Sequence, residues 1–174
     1  SLSLRSGVMD AIVQNKRRLL TVFFSDIVGF TARVEKLAPE ALTDLLNGYF
    51  AAMATVVAKH GGTLDKYIGD AVMVFFGDPE SRGAAVDAKA CIDMAVDMQD
   101  VIGKMAGSWR GRGVVDPLRV RMGIVTGECT VGSFGSPLKL EYTAIGSPVK
   151  LAARLQANAR PGGILVSGST YALV

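Results

Sequence analysis

The sequence is poor in the residues that most often build metal and redox centres. Its 174 residues include two cysteines, Cys91 and Cys129, and one histidine, His60. The cysteines have neither metal-ligand nor redox spacing and read as reduced thiols of an intracellular domain. His60 stands before Gly61 and Gly62, where a helix should stop, and reads as a helix-end residue rather than a base or ligand. The one tryptophan, Trp109, falls in "SWRGRGVVDP", which reads as a loop. There it would be a surface-packed anchor rather than a stacking platform. No apolar run reaches the length of a membrane span, and no signal-peptide pattern is present. The domain itself is therefore expected to make no membrane contact. Nor is one sign of charge in large excess. A net charge of +3 does not call for nucleic acid as a partner, but it suits a small polyanion.

What is present is an ordinary globular composition, 49% apolar and 20% charged, enough for one domain with a sizeable core. Residues 1–16 read as a connector, partly helical from Val8, and residues 17–174 as the domain. The cluster Lys16-Arg17-Arg18 reads as a solvated face. The ends "SLSLRSG" and "SGSTYALV" suggest a piece of a longer protein.

"LLTVFFSDI" is a buried strand by its apolar and β-branched content, and "VGFTARVEKL" a loop entering a short helix. "PEALTDLLNGYFAAMATVVAKHGG" carries the clearest helical period. Leu42, Leu45, Leu46, Tyr49, Phe50, Met53, Val56 and Val57 share one face, and Gly61 is the stop. A strand hairpin follows in "TLDKYIGDAVMVFF". A second helix is expected over about 84–105, with Ala88, Ile92, Ala95, Val96 and Ile102 inward. "LRVRMGIVTGECTVGSFG" reads as two strands around a Thr-Gly turn. "LKLEYTAIG" is a strand and turn, "SPVKLAARLQANAR" a helix with Pro in its first turn, and "GGILVSG" a last strand. This order predicts an α+β sandwich, with helices over one face of a mainly antiparallel sheet.

Two carboxylates stand out. Asp26 ends the first strand and Asp70 sits at the tip of the hairpin. Taken singly, each reads as readily as a helix cap or a turn residue. If the strand lies beside the hairpin, both emerge at one edge, where they repel unless a cation sits between them. Oxygen ligands without His or Cys favour Mg²⁺ or Mn²⁺, completed by phosphates and water. Residues Ile27, Val28, Gly29, Phe30 and Thr31 lead from Asp26 into a helix, and backbone N–H groups there can cradle an anion.

In chain order, "FSDIVGFT", "DKYIGDAVMVFFG", "RMGIVTGE" and "EYTAIGSPVKLAARL" resemble the class III nucleotidyl cyclase catalytic domain, from about Arg17 to the end. The variant resembled is a bacterial adenylyl cyclase with a Lys/Thr base-reading pair. The resemblance implies a ferredoxin-like core in a head-to-tail homodimer with shared active sites at its interface. It implies conversion of ATP to 3′,5′-cyclic AMP and pyrophosphate with two Mg²⁺ or Mn²⁺ per site. The implied metal ligands are Asp26, Ile27 and Asp70. Lys66 and Thr143 fall at the base-reading positions: Lys can only donate, fitting adenine N1, and a Thr hydroxyl can accept from N6. Arg121 matches a triphosphate contact, and Arg154 the arginine that stabilises the pentavalent transition state. Lys150 stands where the family usually has the Asn that orients the ribose, and a further phosphate-binding lysine is expected past Val174. The implied location is cytoplasmic, whether or not the full-length protein is anchored in a membrane. Three other readings stay open. A guanylyl cyclase would more often carry Glu in place of Lys66. A catalytically weak nucleotide-binding or dimerisation module is suggested by Lys150. A dinucleotide cyclase of related topology is disfavoured by the lack of a "GGDEF" segment.

Overall fold

The computed structural model describes residues 15–114 and 118–174. Most of the expected connector, with its helix from Val8, lies outside the described residues, as do residues 115–117 of the expected loop.

Strand β1 (Lys16–Ile27) is apolar on both faces. Leu20, Val22 and Phe24 are buried on one side, Phe23 and Ile27 on the other. A strand of this kind belongs in the middle of a sheet covered on both sides. It pairs antiparallel with β3 (Ala71–Phe76) and with β4 (Val120–Ser136). β2 (Thr63–Ile68) joins β3 through the two-residue turn Gly69-Asp70, where Gly69 has φ 61°. β5 (Lys139–Ile145) pairs with the far half of β4, and β6 (Ile164–Val166) runs parallel to its start. The main strand order is β2-β3-β1-β4-β5.

The helices are α1 (Phe30–Val34), α2 (Pro39–His60), α3 (Ala84–Gly111), α4 (Ser147–Asn158) and α5 (Gly168–Tyr171). α2 opens with Pro39 and Glu40 and closes with Lys59, His60 and a left-handed Gly61, as helix-end sterics and the macrodipole favour. Its buried stripe is Leu45, Tyr49, Met53, Val56 and Val57. Leu42, Leu46 and Phe50 flank it, half-buried. Among the described residues α2 alone is long and apolar enough to cross a membrane; here its stripe belongs to the same core as α3 and the sheet. His60 ends the helix as expected, its Nε2 2.9 Å from Asp97 Oδ2. Both cysteines are free and buried.

Four local expectations are corrected. First, helices cover both faces: α2 and α3 pack on the Phe23 side, while α4 packs through Ala152 on the Val22 side. The double apolarity of β1 requires this. Second, α3 continues to Gly111, so Trp109 is helical, 2% exposed and edge-on to Tyr49 at 6.3 Å. Third, Val96 is 57% exposed, and the inner period is carried by Cys91, Met94 and Met98 beside Ala88, Ala95 and Ile102. In so alanine-rich a helix the apolar pattern reads almost equally well one position over. Fourth, Thr126-Gly127 is not a turn; β4 runs straight through it, and the chain turns at Pro137-Leu138. Gly123 and Gly127 are needed for close approach instead. A Cβ on Gly123 would lie 2.4 Å from the Gln156 nitrogen and 2.5 Å from the Ala152 oxygen. One on Gly127 would lie 2.6 Å from Pro148 Cγ. These glycines let α4 lie directly on the strand.

Gly123→Ala therefore sets a methyl against helix backbone that cannot yield. We expect a loss of about 1–3 kcal/mol, read as a fall in thermal midpoint of roughly 3–10 °C by calorimetry. An unchanged midpoint would contradict the close packing of α4 on β4.

Candidate functional site

Asp26 is the penultimate residue of β1, and its register partner on β4 is Arg121. Asp70 lies at the β2–β3 tip, and its Oδ2 accepts the Ile27 N–H at 2.8 Å. The hairpin tip is thereby tied to the end of β1, and the two carboxylates come together as their positions in the sequence suggested. Asp26 Oδ1 is buried without a hydrogen-bond partner, and so are Arg121 Nε and Gln156 Nε2. Burial raises the Asp26 carboxyl above its ordinary range. The neighbouring Gln156 amide pulls it down, the Asp70 charge pushes it up, and the Arg121 charge lowers it again. Tyr49 closes the site from below. Its hydroxyl lies beside Ser25, near both aspartates, and burial pushes its ionisation far upward.

A buried carboxylate oxygen without a partner, beside two further unpartnered polar groups, is costly unless something else completes them. The donor set is oxygen from two carboxylates. No group of three or more His, Cys, Asp or Glu able to hold a metal occurs among the described residues. Carboxylate oxygens suit a hard divalent cation, whose remaining ligands would come from backbone carbonyl, water and phosphate. Of the expected anion cradle, the Ile27 N–H is given to Asp70 and the Val28 N–H to the Arg119 carbonyl at 2.8 Å. Gly29, left-handed at φ 61°, then begins α1 with no side-chain cap, followed by Phe30 and Thr31.

A second cluster forms where β5 meets β2. These strands stand at opposite ends of the strand order, yet their side chains touch. Thr143 donates its hydroxyl to Asp65 Oδ2 at 2.6 Å, and the Ala144 N–H reaches the same oxygen at 3.4 Å. Lys66 Nζ lies 3.0 Å from Glu141 Oε1 and 3.9 Å from Asp65 Oδ1. Asp65 falls at a register shift between Leu64 and Lys66, a bulge that turns an extra side chain inward. Burial raises its carboxyl, opposed by the Thr143 bond, the Lys66 charge and the Ala144 N–H, and reinforced by Glu141. Next along β5, Tyr142 donates to buried Asp78, which Arg18 Nε approaches at 3.6 Å. Burial, then the bond to Asp78, push the Tyr142 phenol up to about 12.

The third group is on α4. Exposed Lys150 and Arg154, one turn apart, line a groove of about 340 Å³ with Val125, Ser147, Pro148 and Leu151. No ion pair to either is seen among the described residues.

The structure thus joins Asp26, Ile27, Asp70 and Arg121 at one point, Lys66 and Thr143 at another, and Lys150 and Arg154 at a third. Asp65, Asp78 and Gln156 were not picked out from the sequence, and Tyr49 was read only as part of the apolar helix face. Only Asp65 carried a signal there, as a charged residue inside an otherwise pairing strand.

Residues 12–174 match the family model described as the adenylate and guanylate cyclase catalytic domain. The chain belongs to this family. Among solved members it is 50% identical to the adenylyl cyclase CyaB from P. aeruginosa (TM-score 0.89, covering 92% of this chain and 82% of that one). It is 36% identical to the guanylyl cyclase Cya2 (TM-score 0.86, covering 91% and 79%). It is 33% identical over 158 residues to adenylate cyclase 1 of Rhizobium meliloti strain 1021, covering 90% of this chain and 23% of that protein. The chain spans between 6% and 27% of the length of the first curated relatives it matches. The cyclase fold accounts for the α+β sandwich and for helices on its sheet.

Asp70→Asn keeps an oxygen for the Ile27 N–H while removing the charge. We expect divalent-cation-dependent cyclic nucleotide formation to fall by roughly a hundredfold or more, with the thermal midpoint little changed. Asp70→Ala should lower the midpoint as well, because the Ile27 N–H loses its acceptor, costing about 1–3 kcal/mol. Full activity in Asp70→Asn would contradict the metal assignment.

Proposed function

We propose that this domain converts ATP to 3′,5′-cyclic AMP and pyrophosphate at shared sites of a head-to-tail homodimer. The observation that carries the reading is the Asp70–Ile27 hydrogen bond, which brings the Asp70 carboxylate to the end of β1, where Asp26, Arg121 and Gln156 each keep a buried polar atom without a partner. The residues present suit divalent cations held by Asp26, Asp70 and the Ile27 carbonyl. When bound, two Mg²⁺ or Mn²⁺ would acidify the ribose 3′-hydroxyl and neutralise phosphate charge.

In the reaction the 3′-oxygen bonds to the α-phosphorus, the bond from that phosphorus to the pyrophosphate oxygen breaks, and the hydroxyl proton leaves to solvent. In-line placement matters more here than covalent help. Arg121, beside Asp26, grips the triphosphate. Lys66 donates to adenine N1 and Thr143 accepts from N6; guanine, with these polarities reversed, is refused. From the other subunit's standpoint the same chain supplies Lys66, Thr143 and Arg154, the last to the charge developing at phosphorus. One chain holding both halves gives two sites per symmetric dimer. The catalytic unit is taken as residues 17–174 with a connector before it, Lys16 already pairing with Val131 as the first residue of β1, and use of ATP suits a cytoplasmic unit.

Lys150 favours a second reading, a slow cyclase or nucleotide-binding module. An ammonium donates only, whereas the amide it replaces both donates and accepts in fixed geometry. Beside Arg154 in the α4 groove, Lys150 strengthens phosphate binding and orients the ribose poorly.

With ATP and Mn²⁺ we expect cyclic AMP as product, at a specific activity that rises with protein concentration as dimer forms. Cyclic GMP made in preference from GTP, or nucleotide bound with no cyclic product, would overturn the assignment. Lys150→Asn should raise kcat by roughly tenfold and raise KM. A fall in kcat would instead make Lys150 a working part of this site.

A further inference from the structure

We propose that Asp65 is a positioning residue that sets base selectivity by fixing which way the Thr143 hydroxyl points its proton. This rests on the adenylyl cyclase reading above and goes a step beyond the base-reading pair. A threonine hydroxyl carries one hydrogen and two lone pairs, so left free it serves a donor or an acceptor equally. Lys66 alone cannot remove that ambiguity at the exocyclic position. In this chain the proton is committed. Thr143 Oγ1 lies 2.6 Å from Asp65 Oδ2, whereas the nearest competing acceptor, the Ala144 carbonyl, is 3.5 Å away. The Ala144 N–H on the same oxygen, at 3.4 Å, keeps the carboxylate facing β5.

The Asp65 side chain is fully buried, so water does not compete for this bond. The bulge between Leu64 and Lys66 is what turns Asp65 inward, next to the lysine of the pair. Its second oxygen, Oδ1, has no hydrogen-bond partner and lies 3.9 Å from Lys66 Nζ, so the same carboxylate bears on both base-facing groups. With its hydrogen held by Asp65, Thr143 presents only lone pairs outward. These accept from the amino group at adenine N6 and oppose the carbonyl oxygen of guanine at the same place. An acceptor-only Thr beside a donor-only Lys is the complement of adenine alone.

A purely structural Asp65 would tie β5 to β2 and affect both nucleotides alike, so the test is a ratio. Measure kcat/KM for ATP and for GTP in the wild type, Asp65→Ala, Asp65→Val and Asp65→Asn, and in each with Thr143→Val. The ratio does not depend on how much of a preparation is folded, and Val fills the space that Ala leaves. Where turnover is too slow, competition between non-cyclisable ATP and GTP analogues gives the same ratio. We expect Ala and Val at residue 65 to lower the ATP-to-GTP ratio by roughly tenfold. Asn, which keeps an oxygen for the hydroxyl, should stay within about threefold of wild type. In the Thr143→Val background, changes at residue 65 should leave the ratio where Thr143→Val put it. An unchanged ratio in Asp65→Ala and Asp65→Val, whatever happens to the absolute rates, overturns the assignment of Asp65. A wild type that turns over neither nucleotide, or prefers GTP, overturns the adenylyl cyclase reading itself and is seen before any variant is made.

Discussion

The hydrogen bond from the Ile27 N–H to Asp70 is the contact on which the site depends. It joins two pieces of chain more than forty residues apart in sequence: the exit of the central strand and the tip of a hairpin. Everything else serves to hold those two ends in place. β1 is buried on both faces and pairs without a break along β4 from Lys16 to Ile27, and along β3 from Thr21 to Ser25. That fixed register sets Asp26 opposite Arg121 and delivers Asp70 to Ile27. Close seating of α4 on Gly123 and Gly127 then brings the Gln156 amide against Asp26.

The resulting arrangement is unfavourable when taken alone. Burial and the Asp70 charge both disfavour an ionised Asp26, and Asp26, Arg121 and Gln156 each keep a buried polar atom without a partner. A domain with a well-packed double core can carry this cost, and such local conflicts concentrate where a ligand completes the bonding. The cluster where β5 meets β2 is built differently. There the buried carboxylate of Asp65 is satisfied on one oxygen by β5, and the polar contact also holds two distant strands together.

Much of this was legible in the sequence because it depends on local rules. The α2 face and its Gly61 stop follow from helical period and αL sterics, and the Gly69-Asp70 turn follows from hairpin chemistry. Asp26 and Asp70 could be paired because one strand end and one hairpin tip were recognisable and the motif order pointed the same way. What was missed depends on contacts between elements. Gly127 resembles a turn residue until Pro148 is seen resting on it. Trp109 sits among glycines and arginines that suggest a loop, yet Tyr49 provides the buried partner that favours continuing the helix to Gly111. Asp65 went unremarked, since neither the bulge that buries it nor the return of β5 to β2 is written in nearby residues.

The central claim is that Asp26 and Asp70 hold divalent cations against a nucleotide's phosphates. The most direct measurement is anomalous diffraction from crystals of this protein grown with Mn²⁺ and a non-cyclisable ATP analogue. Manganese peaks are expected within coordination distance of carboxylate oxygens of both aspartates, beside the phosphates. Nucleotide bound with no manganese between these two side chains, or with their oxygens turned apart, would contradict it.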